Sequence, residues 1–199
     1  MTPTRNAVTL LWIPLGAGGN GFVRNNGRIF ERIAARRQKR EPLALVHSAL
    51  EVLSDGVRYT IENGWPSPDA DTASRGVVLE GPVGAPWAAR FRAFRYEVRR
   101  WRDGVIPDAD EAIDAVALST DGRVARDVLA LTAEVPCLVW GRTPPGCPEM
   151  WNSNSVVAWI LTRAGIQNAD ARLPAGTRAP GWQTGVEVAR GTATNSNPS

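Results

Sequence analysis

The stretch that decides the fold is residues 43–62, with the sequence LALVHSALEVLSDGVRYTIE. Its first half, residues 43–53, is rich in apolar and branched side chains and predicts a long strand. Residues 54–56, Ser-Asp-Gly, favour a tight turn. Residues 57–62 then alternate polar and apolar side chains, which indicates a second strand with one buried face. The segment therefore predicts an antiparallel hairpin.

Other elements follow on both sides of this hairpin. Strands are predicted at residues 7–13, 75–80 and 91–101, and helices at residues 26–39, 121–134 and 153–164. The chain beyond Pro107 has a helical character, and Gly165 ends the last of these helices. We therefore expect an α+β fold in which a small antiparallel sheet packs against a buried helix. Residues 1–189 are predicted to form a single domain, followed by a disordered tail at residues 190–199.

The positive charge of the chain is carried almost entirely by arginine, with Lys39 as the one lysine, and the net charge is +3. This composition is typical of a GC-rich genome and says little about partners. The arginines are scattered and lack interleaved stacking aromatics, so no nucleic-acid partner is expected. The arginines of the predicted strand at 91–101 indicate a solvated face, with a patch for an anionic partner as the alternative.

The sequence predicts a cytoplasmic protein without cofactors. The apolar stretch at residues 7–13 is too short for a membrane span and lacks the pattern of a signal peptide. Cys137 and Cys147, with a single histidine in the chain, are too few to form a zinc site, and free thiols are expected. The acids at 108–114 do not have metal-ligand spacing and indicate the first turn of a helix, so no metal is predicted. The oligomeric state cannot be derived from these patterns.

A cluster of four polar residues opens the last predicted helix: Asn152, Ser153, Asn154 and Ser155. The residues after it are apolar nearly all round, so the helix should be buried and its N-terminus fixed in place. The free N–H groups at such an end can hold the oxyanion of an acyl-transfer intermediate. Asn and Ser are also the best helix-capping residues, so a cluster of them at a helix start needs no catalytic role, and spacing alone favours capping.

His47 is the only histidine, so any acid–base chemistry near neutral pH would have to use it. A lone histidine in an apolar strand is, however, more often a core residue than a base. A turn centred on Asp55 would place Asn63 opposite His47, where it could orient the imidazole. Trp151 and Trp182 are the tryptophans expected to line a pocket.

Together these features resemble the circularly permuted papain-like (NlpC/P60-related) superfamily, which includes lecithin retinol acyltransferase-like proteins and deubiquitinating peptidases. In its permuted members the catalytic histidine comes first, on a strand. The nucleophile follows later, as the cysteine of Asn-Cys-x-x-Phe at a helix start. The segment from Trp151 to Ser155 is also similar to the Asn-Ser-Asn-Thr-Phe signature of a bacterial family without an assigned activity. It is closer still to actinobacterial proteins with a Trp-Asn-Ser-Asn-Ser helix.

The resemblance implies an acyl-transfer hydrolase that acts on an amide or ester, with a small molecule or peptide as its substrate. Ser153 would take the position of the cysteine nucleophile and His47 that of the base, with Asn63 as its orienting residue. Asn152 or Asn154 would help the helix N–H groups to hold the oxyanion. Because a hydroxyl ionises far less readily than a thiol, the serine equally indicates an inactive member of the fold that binds a peptide, an acyl group or a protein. Cys147 is a further, displaced candidate nucleophile.

Overall fold

The structure is a computed structural model, and it describes residues 5–15, 36, 41–66, 76–104 and 111–194. The predicted helix at residues 26–39 therefore lies outside the described residues, apart from position 36. The acids at 108 and 110 lie outside them as well.

The predicted antiparallel sheet is confirmed. Its strands are β1 (Ala7–Pro14), β2 (Ala44–Ser54), β3 (Val57–Gly64), β4 (Val77–Pro82), β5 (Arg95–Arg102) and β6 (Asp114–Ser119). They pair in the order β4-β5-β3-β2-β1-β6, and each of these pairings is antiparallel. A two-residue strand, β7 (Thr177–Arg178), pairs parallel with the start of β2. The long strand β2 is thus central to the sheet.

The hairpin between β2 and β3 forms where the sequence predicts it, but its register differs by one residue. Ser54 pairs with Val57, so Asp55 and Gly56 make a two-residue turn. Both turn residues have positive φ, 51° and 84°, as a type I′ hairpin turn requires. The paired residues continue to Leu50 opposite Ile61. The turn is therefore centred between Asp55 and Gly56 rather than on Asp55.

Three α-helices are described: α1 (Gly122–Leu131), α2 (Ser153–Arg163) and α3 (Trp182–Thr194). The first two confirm the predicted helices at 121–134 and 153–164, with Asp121 capping α1 and Gly165 following α2 at a φ of 81°. None of the described helices is long and apolar enough to cross a membrane.

Three predictions along the chain are corrected. The strand predicted at 91–101 begins only at Arg95, because Pro86–Arg90 and Arg92–Phe94 form 3₁₀ turns. Asp114 opens strand β6 rather than a helix, so the chain beyond Pro107 is not helical throughout. Residues 190–194, where the disordered tail was expected to begin, are the last turn of α3.

The two faces of the sheet belong to different apolar clusters. Because side chains alternate along a strand, Val46, Ser48 and Leu50 of β2 share one face with Trp12 of β1 and Ile61 of β3. That face, here called the helix face, belongs to the large apolar core that also contains residues of all three helices. The other face, here called the opposite face, carries the smaller apolar cluster Leu11, Ile13 and Ala49.

Candidate functional site

The polar cluster at the start of α2 forms a complete capping box. The side-chain oxygen of Asn152 accepts hydrogen bonds from the backbone N–H groups of Asn154 and Ser155, at 3.0 and 3.3 Å. In return, the Ser155 hydroxyl accepts one from the backbone N–H of Asn152 at 3.1 Å. Two of the helix's free N–H groups are thereby occupied by the side chain of its own capping residue.

Asn154 ties the start of α2 to the sheet. Its carboxamide oxygen accepts a hydrogen bond from the Ser48 hydroxyl at 2.9 Å, and its Nδ2 donates to the carbonyl oxygen of Val46 at 3.1 Å. The same Nδ2 donates to the carbonyl of Pro180 at 3.0 Å. All of these groups lie in the interior, where an unpaired polar atom is costly. Asn154 thus joins β2, α2 and the loop before α3.

That loop is held by further polar contacts. Asn152 Nδ2 donates to the Pro180 carbonyl at 2.9 Å, and the Ser155 hydroxyl donates to the Gly181 carbonyl at 2.7 Å. Gly181 has a φ of 83°, and a Cβ there would lie 2.6 Å from the Asn152 carboxamide oxygen. Only glycine satisfies both constraints.

Glu149 completes the attachment of the loop from the other side. Its carboxylate accepts a hydrogen bond from the backbone N–H of Gly181 at 2.5 Å and forms an ion pair with Arg178. The Thr184 hydroxyl donates to the Glu149 carbonyl at 2.8 Å. Glu149, Arg178 and Thr184, which lie in three different parts of the chain, therefore hold this loop in place beside α2.

Ser153, the predicted nucleophile, occupies the first helical position and is 9% exposed. Its hydroxyl forms no hydrogen bond with any residue within the described ranges, His47 included. The groups predicted to hold an oxyanion are committed elsewhere, since Asn152 caps the helix and Asn154 binds Ser48, Val46 and Pro180. The structure therefore places the predicted nucleophile beside predicted oxyanion donors that already have partners.

His47 lies next to Ser48, but its side chain points to the other side of the sheet. It pairs with Ile13 across β1 and β2, on the opposite face, whereas Ser48 faces α2. Burial lowers the pKa of His47 from 6.5 to about 4, so the imidazole is neutral and a weak base at neutral pH. Its ring has no hydrogen bond to another residue of the described segments. The structure does not bring His47 to Ser153.

Asn63 is not positioned to orient His47. The register places Leu50 opposite Ile61, so Asn63 extends the same alternation to the helix face, away from the imidazole. Both polar atoms of its carboxamide are buried, and neither has a hydrogen-bond partner among the described residues. The predicted pairing of Asn63 with His47 relied on a register that was wrong by one residue.

The two tryptophans predicted to line a pocket have different surroundings. Trp151 is fully buried in the main core. Trp182 packs against Trp12, with ring centroids 4.9 Å apart, and contributes to a cleft of about 400 Å³. The walls of this cleft come from Pro148, Glu149, Asp170, Leu173, Arg178, Ala179, Trp182 and Gln183. Trp182 therefore lines a cleft, while Trp151 is a core residue.

Metal and thiol chemistry find little support in the described part of the chain. No group of three His, Cys, Asp or Glu side chains within it gathers closely enough to hold a metal ion. Cys137 and Cys147 are both free. Burial raises the pKa of each thiol, so neither is activated as a thiolate.

Several residues that build this region escaped the sequence analysis. Ser48, Glu149, Arg178 and Gly181 are separated from their partners by 26 to 106 positions. Of these four, Gly181 has the clearest signal in the sequence, because a Pro-Gly pair directly before an aromatic residue indicates a turn.

Comparisons with protein-family models, with curated proteins and with solved structures found no match for this chain. The fold itself defines an α+β protein with a mostly antiparallel sheet, and the three described helices pack in the core on one face of it. The resemblance to the permuted papain-like superfamily stays a prediction.

Proposed function

We propose that this chain is a binding protein and that its ligand site is the cleft beside the start of α2. The proposal rests on where the hydrogen bonds of the polar cluster are directed. Asn152, Asn154 and Ser155 direct their hydrogen bonds to one another, to β2 and to the loop that forms the cleft wall. A wall held by so many bonds is preorganised, which lowers the entropy lost on binding.

The size and lining of the cleft suit a peptide or a small molecule. Its volume of about 400 Å³ lies within the range of ordinary ligand sites. Trp182, Leu173 and Pro148 supply apolar surface, and Glu149, Asp170 and Arg178 supply charge. Such a mixture favours a ligand with an apolar part and a polar group.

The charges of the cleft favour an amine. Glu149 and Arg178 neutralise each other as an ion pair. Asp170 forms no ion pair with another residue of the described ranges, so its carboxylate leaves the lining with a net negative charge. We therefore propose a peptide segment with a basic side chain as the ligand, with the amine placed at Asp170 and the apolar part against Trp182.

Binding is tested by NMR titration of the full chain with two pools of short peptides. Each peptide of the first pool contains one lysine, and norleucine replaces it in the second pool. We expect the lysine pool to shift the Trp182 indole signal, and Asp170→Asn to weaken that binding about tenfold. The matched control is Asp127→Asn, an exposed acid on α1, which should leave affinity unchanged. Equal affinity for both pools, or an equal loss in both variants, contradicts the amine site.

The hydrolase predicted from the resemblance is tested separately with a fluorophosphonate probe. We expect no labelling of the folded protein, because Ser153 has no hydrogen bond to His47 and the imidazole lies on the opposite face. Labelling of the wild type that disappears in Ser153→Ala, together with turnover of an ester, would restore the hydrolase and remove the proposal that the protein only binds.

A further inference from the structure

Four large aromatic side chains are exposed on one part of the surface, here called the aromatic surface: Trp65, Trp87, Phe91 and Phe94. Trp87 is 64% exposed, and the other three are each exposed by about half. Phe91 and Phe94 belong to the turns between β4 and β5, and Phe94 N–H donates to the Phe91 carbonyl. A soluble protein rarely gathers several exposed aromatic rings without a partner for them.

Trp65 joins this surface through a cleft. The cleft has a volume of about 410 Å³ and is lined by Trp65, Pro66, Arg92 and Ala93. One side of the Trp65 ring contacts Trp140, with centroids 6.2 Å apart, so its position is fixed while about half of it stays accessible. The surface therefore offers a concave space beside projecting rings.

Arginines alternate with the aromatic rings. The chain between Glu80 and Glu97 contains three arginines, Arg90, Arg92 and Arg95, and no acidic residue. Arg90 lies over the rings of Trp87 and Phe91, at 5.3 and 5.4 Å from their centroids. Arg95 is paired with Glu80 at 3.1 Å.

A further cation lies beside these turns. Arg142 reaches the segment from elsewhere in the chain and donates from Nε to the Gly84 carbonyl at 2.6 Å. Within the described residues Arg90 and Arg142 form no ion pair, so they contribute positive charge to this part of the surface.

We propose that the aromatic surface binds single-stranded nucleic acid. Bases stack on exposed rings whatever their identity, and arginines among the rings contact the phosphates, so alternating rings and cations are what a single strand requires. A bilayer would touch the projecting rings but leave the cleft beside Trp65 unfilled. An acidic peptide would pair with the arginines but would not use four flat rings. Contrary to the expectation that the chain lacks interleaved arginines and aromatic residues, residues 87–95 alternate the two, and the structure shows that their rings are exposed.

The test is fluorescence anisotropy with a labelled oligothymidine of about 20 nucleotides, titrated with the full chain. We expect saturable binding that weakens roughly tenfold between about 50 and 200 mM salt, as contact with two or three phosphates implies. Trp87→Ala and Phe91→Ala should each weaken binding about tenfold, because each removes a stacking platform. Both residues are exposed, so both variants should melt like the wild type.

Matched controls are Ile113→Ala and Arg123→Gln, which remove an exposed apolar side chain and an exposed arginine elsewhere. Neither should alter binding. The proposal is overturned if the oligonucleotide does not bind, if the controls lose as much affinity as the aromatic variants, or if a duplex of the same length binds as tightly. Binding to anionic phosphatidylglycerol vesicles but not to the oligonucleotide also overturns it, in favour of a membrane surface.

Discussion

On the helix face of the sheet, Ser48 meets the neutral carboxamide of Asn154, whereas on the opposite face Arg99 holds two carboxylates. The guanidinium of Arg99 lies 2.9 Å from Glu97 and 2.9 Å from Glu62. Glu97 is completely buried and Asn154 nearly so. Both clusters therefore satisfy polar groups in the interior, one with neutral hydrogen bonds and the other with charges.

The difference between the two clusters lies in what a single substitution leaves behind. Removing a neutral partner leaves a dipole without a hydrogen bond, while removing a charged partner leaves an ion away from water. Neutral donors and acceptors can also be shared, as Asn154 Nδ2 is shared between Val46 and Pro180. We therefore expect the two faces to respond to mutation with different magnitudes.

The largest effect is expected for Arg99→Met on the opposite face. This substitution leaves the buried Glu97 carboxylate without its guanidinium and should lower the free energy of unfolding by about 3–5 kcal/mol. Arg58→Met is the matched control, because Arg58 forms an ion pair with Glu51 on the same face but is exposed, and it should cost about 1 kcal/mol or less. Urea unfolding monitored by circular dichroism measures both. Similar losses in the two variants would show that burial of the pair is unimportant.

The second effect is expected on the helix face, for Asn154→Ala. The change removes Asn154 as the partner of the Ser48 hydroxyl and the Val46 carbonyl, and it removes one of the two donors to the Pro180 carbonyl. It should lower the free energy of unfolding by about 3 kcal/mol. The neighbouring Ser153→Ala is the matched control and should change it by about 0.5 kcal/mol or less. If Ser153→Ala destabilises as much as Asn154→Ala, the tie to β2 does not account for the effect.

The features that the sequence predicted correctly have local signals. The β2–β3 hairpin follows from alternation and a turn pair, and the start of α2 from a run of capping residues. Strand β6 and helix α3 were missed because their signals are weak: β6 is short, and α3 contains two glycines and several β-branched residues. Their stability comes from packing, which no local pattern encodes.

The sequence predicts that the polar cluster begins a helix, but it does not predict which groups the cluster contacts. Ser48 and Asn154 are 106 positions apart, and neither segment contains a local pattern that predicts their contact. His47 and Ser48 also show how much depends on one residue, since adjacent side chains of a strand face opposite ways. The sequence places His47 and Ser48 next to each other on β2. Only the pairing register shows that the Ser48 side chain, and not the imidazole, faces α2.

The third effect is a dependence of stability on pH that arises from His47 on the opposite face. The unfolded chain protonates His47 near pH 6.5, whereas burial lowers the pKa in the folded protein to about 4. Below pH 6.5 the unfolded state therefore binds a proton that the folded state does not, so stability falls as the pH falls. Between pH 7 and pH 5 the loss should be about 2 kcal/mol. Ordinary carboxyl groups titrate mostly below this window, and His47 is the only histidine.

Urea unfolding at several pH values between 5 and 7 measures this slope, with His47→Gln as the comparison. The variant should lose most of the pH dependence, because it lacks the imidazole. An NMR titration of the His47 ring should in parallel give a pKa well below 6.5. A variant that keeps the wild-type slope would show that another group is responsible. A ring pKa near 6.5 would instead show that the imidazole reaches solvent, and would make it available as a base once more.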